Sequence, residues 1–144
     1  MKGYKNILVA VELISKTDAA PLKHAEFLAK EFGANVVLVH AVEHLGSYGA
    51  YGIGVGFEVE KILVDNANSE MKRLGVAVGI PENRQAVKMG PAKFVILEEA
   101  DKINADLIIV GSHGRHGISV LLGSTANAVL HGAKCDVLAV RLKD

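Results

Sequence analysis

The residue types best able to do chemistry stand in one glycine-rich stretch, Gly111-Ser112-His113-Gly114-Arg115-His116-Gly117, followed after five residues by Gly123-Ser124-Thr125. Glycines let main-chain N–H groups approach an anion closely and adopt positive φ. A helix starting at Gly123-Ser124-Thr125 would add unpaired N–H donors and a partial positive charge, which suits a phosphate. The hydroxyls of Ser112, Ser124 and Thr125 can donate to phosphate oxygens, and Arg115 can offer a bidentate contact. The stretch is not a Walker loop, because Gly117 and Gly123 enclose five residues and no lysine follows. Nor is it a dinucleotide fingerprint, since the first strand-to-helix turn, Glu12-Leu13-Ile14-Ser15, contains no glycine. A tight loop whose glycines merely permit a turn is the competing reading, and these residues alone leave both open.

Other chemistry is thinner. Two of the six histidines, His113 and His116, are three apart, but two imidazoles without a nearby Cys or Asp do not complete a tetrahedral metal site. A place in the loop wall, with His113 beside phosphate, fits them better. His40 lies in an apolar run and reads as a satisfied core histidine; His24, His44 and His131 carry no signal. There is no Gly-x-Ser-x-Gly elbow. Cys135 has no activating partner in sequence and reads as a small buried residue. Glu98, Glu99 and Asp101 read as a solvated helix face. Nothing names a reaction, so the expectation is a binding protein and not an enzyme, with no metal of its own. The segment 46–56, with Gly46, Gly49, Gly52, Gly54 and Gly56 around two tyrosines, reads as a flexible surface connection, the functional alternative being a lid over a ligand.

Five short runs rich in β-branched residues must position that stretch: 6–11, 35–42, 85–89, 106–110 and 136–142. Several are apolar at nearly every position, as strands covered on both faces are. Helical spacing fills the gaps. Residues 18–32 place Leu22, Ala25, Leu28, Ala29 and Phe32 on one face, with Thr17 or Asp18 as cap, Pro21 in the first turn and Gly33 as stop. Residues 58–74 show Val59, Leu63, Ala67, Met71 and Leu74, with Gly75 as stop. A third helix starts at Gly90-Pro91 and carries Phe94, Leu97 and Ala100 to about 104; a fourth runs from Ser124 or Thr125 to Gly132. Alternation of this kind predicts an α/β fold: a Rossmann-like five-stranded parallel sheet, helices on both faces, order 3-2-1-4-5. Ligands bind such sheets beyond the carboxyl ends of the strands, where strand order reverses, here between the first and fourth strands. The last strand would be an edge. Its residues Val137, Leu138, Ala139, Val140 and Arg141 could pair with a second copy, or be covered by side chains.

Composition agrees. The chain has 144 residues, 50% hydrophobic and 22% charged, enough for one domain over 1–144 with a sizeable core. Sixteen basic residues balance sixteen acidic ones, which argues against nucleic-acid binding, because neutralising phosphates needs a basic excess. No apolar run approaches the ~20 residues of a bilayer-spanning helix, and no secretory signal is expected at the start. A lone cysteine allows no internal disulfide and fits a reducing cytoplasm.

The run Ile7-Leu8-Val9-Ala10-Val11-Glu12, then Val37-Leu38-Val39-His40-Ala41, then Asp106 through Gly111-Ser112-His113-Gly114-Arg115, and finally Gly123-Ser124-Thr125-Ala126-Asn127 with Cys135 to Val140, together resemble the universal stress protein family across essentially the whole chain. The resemblance implies a cytoplasmic homodimer with a role in surviving stress. Members that bind ATP or AMP share glycine, two residues, glycine, nine residues, then glycine and Ser/Thr. Carried over, that pattern implies that Gly111, Gly114, Gly123, Ser124 and Thr125 surround ribose and phosphates, with adenine near Ala10, Val11, Glu12 and Ala41; Ser112, His113 and Arg115, read above as phosphate contacts, complete the expected nucleotide-binding set. ATP or AMP is the implied cofactor, magnesium accompanying ATP, and the homodimer is implied at Val137 to Arg141. Binding would order 46–56 and 111–123 and so alter a surface read by a partner. Two departures stand out: Gly114 and Gly123 enclose eight residues, and Glu12 replaces the usual aspartate. They favour the alternative, a stress-induced dimer that binds no nucleotide and acts through protein contacts.

Overall fold

A computed structural model describes residues 3–44, 53–113 and 124–142, the side chains of 53–57 excepted. The chain runs β1 (Asn6–Ala10), α1 (Ser15–Phe32), β2 (Asn35–Val42), α2 (Ile53–Val78), a short 3-10 turn (Glu82–Arg84), β3 (Gln85–Met89), α3 (Ala92–Ile103), β4 (Leu107–His113), α4 (Ser124–Gly132) and β5 (Asp136–Leu142). All strand pairs are parallel, in the order β3-β2-β1-β4-β5, as predicted. Strand residues alternate between two cores, which explains runs that are apolar throughout. Ile7, Val9, Leu38 and Ile109 pack with Ala25 of α1 and Met71 of α2. Leu8, Val39, Ile108 and Val110 pack on the other face with Val95 and Ile96 of α3 and Val129 of α4. Burying one such side chain fully contributes ~1.5–3 kcal/mol.

The strands differ in reach. β1 pairs with β4 only over Ile7–Val9 against Leu107–Ile109, whereas β4 stays paired with β5 to His113. At the opposite end of the sheet β1 and β4 are clasped, the Asp106 carboxylate accepting the Lys5 N–H at 2.8 Å and the Asn6 N–H at 3.0 Å.

Several expectations are corrected. β4 does not end at Val110: β5 supplies partners for Gly111, Ser112 and His113, so these continue the ladder instead of opening a loop. Gly111 is a close-approach residue, since a Cβ there would lie 2.8 Å from Leu142 Cδ1. Helix α1 starts at Ser15, capped by no side chain, which leaves Pro21 inside the helix and buried instead of in its first turn. Helix α2 already includes 53–56 and passes through Gly75, ending before Gly79, whose φ of 74° is the real stop. Val59 and Leu63 are exposed, and only Ala67, Met71 and Leu74 face the core. In α3, Pro91 caps rather than begins the helix, and Phe94 is exposed at 58% with Lys93 Nζ 4.9 Å from its ring centre. Glu99 is buried, not solvated. Phe32 is partly exposed, its ring meeting Tyr4 edge-on at 5.4 Å.

Candidate functional site

Helices α1, α3 and α4 each follow a strand of the parallel sheet and so begin at its carboxyl end, which places their N-terminal partial charges on one side of the molecule. Between them opens a cavity of about 330 Å³ at the β1–β4 switch point. Its floor is the end of β1 and the residues after it: Ala10, Val11 and Glu12. His40 and Ala41 of β2 form one wall; Val110, Gly111 and His113 of β4 form the other. Ser124 and Thr125, in the first turn of α4, close the side beside β4, and Ala92 and Ile96 of α3 line it as well.

Past Val110, the strand period of two decides which β4 residues reach the cavity. Gly111 and His113 line it, whereas Ser112 is buried and is not part of the lining. His113 Nε2 donates to Glu12 Oε1 at 3.0 Å, joining the ends of β4 and β1 through two half-exposed side chains. His40 is a satisfied histidine as expected: its Nδ1 lies 2.7 Å from the Val11 carbonyl oxygen, which can only accept, so that nitrogen carries the proton.

Asp18 is the residue whose role sequence reasoning missed. Taken for a helix cap, it sits 4% exposed in the fourth position of α1, beneath the β1–α1 turn. Its Oδ1 accepts the Glu12 N–H at 2.8 Å and its Oδ2 the Ile14 N–H at 3.1 Å. Burial pushes its carboxyl above the ordinary aspartate range, and the backbone N–H bonds from Glu12, Ile14 and Leu13 oppose that shift. The available signal was an aspartate one helical turn behind a glycine-free turn. Glu43, also in the lining, is tied to α3 through the Ala92 N–H at 3.5 Å.

Of the twelve residues expected to bind nucleotide, Ala10, Val11, Glu12, Ala41, Gly111, His113, Ser124 and Thr125 meet at this cavity. Gly114, Arg115 and Gly123 lie outside the described residues, as do His116, Gly117 and the segment 45–52. Val137 to Arg141 lie in β5, an edge of the sheet, with Val140 buried and Arg141 exposed. Cys135 is half-buried just before β5. Burial, and then the nearby Asp136, push its thiol above the ordinary range. Among the described residues no three His, Cys, Asp or Glu side chains gather as metal ligands, and no helix is long and apolar enough to cross a membrane.

A model of the universal stress protein family matches residues 3–141. Universal stress protein A homolog 2 of Coxiella burnetii is 54% identical over 144 residues, covering 99% of both chains. Universal stress protein UspA from Lactobacillus plantarum superposes with a TM-score of 0.78 at 24% identity, over 96% of this chain and 99% of its own. A universal stress protein solved in complex with cAMP superposes at 0.62 and 21% identity, over 98% and 99%.

Proposed function

Because the chain belongs to the universal stress protein family, we propose that it serves the stress response as an adenine-nucleotide-binding protein, a homodimer acting by binding rather than by catalysis. The cavity at the switch point carries this reading. Its volume of about 330 Å³ lies within the ~300–1,000 Å³ range of small-molecule sites. The apolar Ala10, Val11 and Ala41 offer a surface for a base, and the first turn of α4, with Ser124 and Thr125, offers hydroxyls and unpaired N–H groups to phosphate. The nucleotide-bound state of a related fold, the cAMP complex, supports a nucleotide as the ligand class. ATP or AMP is the nucleotide proposed.

Magnesium would travel with ATP, held mainly by the phosphates. The residues fit that limited role: hydroxyl and carboxylate oxygens of Thr125, Ser124 and Glu12 are hard donors, but the described residues build no cage of their own. Residues 1–144 are proposed to act as one domain, paired through the β5 edge at Val137 to Arg141, in the cytoplasm. Nucleotide would then bias the surface seen by a partner through its differential affinity for two states. Nucleotide is proposed to act on the segments 46–56 and 111–123, of which Gly111 to His113 lie in β4 and residues 53–56 in α2.

Calorimetry with ATP and with AMP tests the reading: saturable heat supports it, and no heat at millimolar nucleotide refutes it. A second reading, a dimer working through protein contacts alone, is favoured by Glu12, whose carboxylate is engaged by His113 across the mouth. Light scattering showing twice the chain mass, with no nucleotide heat, would select it.

A further inference from the structure

We propose that Asp18 is a specificity-determining residue of the nucleotide site: its buried carboxylate fills the amide cluster of the β1–α1 turn and closes that end of the cavity to phosphate. The proposal rests on the nucleotide reading above and adds to it what keeps phosphate out of the β1–α1 turn.

In doubly wound folds the turn from the first strand into the first helix is a natural anion seat, because successive N–H groups and a helix N-terminus point to one spot. Here that seat is built without glycine. Leu13 holds a φ of 63°, a left-handed conformation uncommon for leucine, and such a residue between extended or helical neighbours turns consecutive N–H groups inward as a concave nest. The nest is already filled. Asp18 spans it with both oxygens, one on the Glu12 N–H and one on the Ile14 N–H, and is itself part of the cavity lining. At 4% exposure the carboxylate gives up most of its hydration for these bonds. A second anion arriving there would find its donors taken and meet a fixed negative charge. At the other end, Ser124 and Thr125 stand at the start of α4. In the nucleotide reading the phosphate lies at α4 and the uncharged base at Ala10, Val11 and Ala41.

The test is an amide-resolved NMR titration of the full chain with inorganic phosphate, which needs no nucleotide. In the wild type, phosphate should move the amides of Ser124 and Thr125 and leave Glu12, Leu13 and Ile14 unmoved. Coupling across the hydrogen bonds should join the Glu12 and Ile14 amides to the Asp18 carboxyl carbon. In Asp18→Ala the three turn amides should gain saturable phosphate shifts, and Asp18→Ser serves if Asp18→Ala does not fold. Saturable shifts at the turn in the wild type, missing couplings, or a folded variant whose turn ignores phosphate would each overturn the proposal. If the turn behaves as expected while Ser124, Thr125 and the nucleotide calorimetry stay silent, the nucleotide reading falls and the closure of the turn by Asp18 stands.

Discussion

Replacing Gly75 by alanine sets helix propensity against packing, and the geometry decides which wins. Glycine inside a helix is less favourable than alanine by ~0.5–1 kcal/mol, so at an open helical position the change would stabilise. Gly75 is not open. A Cβ there would lie 1.9 Å from Gln85 Nε2 and 2.6 Å from the Ile80 carbonyl oxygen. Both atoms belong to the bond that closes this corner, Gln85 Nε2 donating to Ile80 O at 2.9 Å, while the Ile80 N–H donates back to Gly75 O at 2.8 Å. Gln85 can swing away at the cost of one hydrogen bond, ~0.5–1.5 kcal/mol; the backbone oxygen cannot, and overpacking adds ~1–3 kcal/mol. After subtracting the propensity gain, Gly75→Ala should lose about 0.5–4 kcal/mol. For a domain of this size that is a fall in Tm of roughly 2–12 °C. Thermal unfolding by circular dichroism reads it directly, and Gly75→Ala/Gln85→Ala, which lacks the same hydrogen bond and keeps the clash with the Ile80 carbonyl, should stay below the wild type. A Tm equal to or above the wild type would refute the account and return Gly75 to the status of an ordinary helical glycine.

Thr125→Val, which removes a hydroxyl from the cavity wall, should weaken AMP about 10- to 100-fold by calorimetry, the worth of one hydrogen bond to a charged group, with Tm little changed. Burial raises the Asp18 carboxyl, so the folded chain takes up that proton at higher pH than the unfolded chain. Its stabilising contribution is therefore full below the ordinary value of about 3.9 and is lost as pH rises through the raised one; urea melts should show the wild type losing ground to Asp18→Asn across that window. Cys135, with its thiol pushed up by burial and half covered, should react with iodoacetamide at pH 8 more slowly than free cysteine, and an equal rate would contradict its placement.

Fold and site were legible to different depths. Strands could be read because parallel strands buried on both faces are apolar at almost every position, and β2, β3 and β5 match their predicted bounds. Helix ends were harder, because Gly75 looks like a stop in sequence and only the approach of Gln85 and Ile80 reveals why a glycine stands there. The extension of β4 to His113 depends on β5, more than twenty residues further on, and no local pattern carries that pairing. The place of the cavity between β1 and β4 followed from topology, and eight of the residues expected at a nucleotide site line it. Asp18 stayed hidden because an aspartate beside a helix start reads first as a cap, and the turn it fills forms only once Leu13 adopts its left-handed backbone. Phe94 misled because its spacing matched the buried face of α3 while its ring lies outward.

The shortness of the central strand has a consequence of its own. Past Val9 and Ile109, the last residues that β1 and β4 share, β4 advances four residues, about 13 Å at ~3.3 Å each. β2 goes three beyond Val39, about 10 Å, while β1 stops at Ala10. The hollow is thus a missing plank between two longer ones, dug by omission and not by carving side chains. Its depth is metered by where one strand stops, so two more zipped residues on β1 would shut it while leaving both layers beneath untouched.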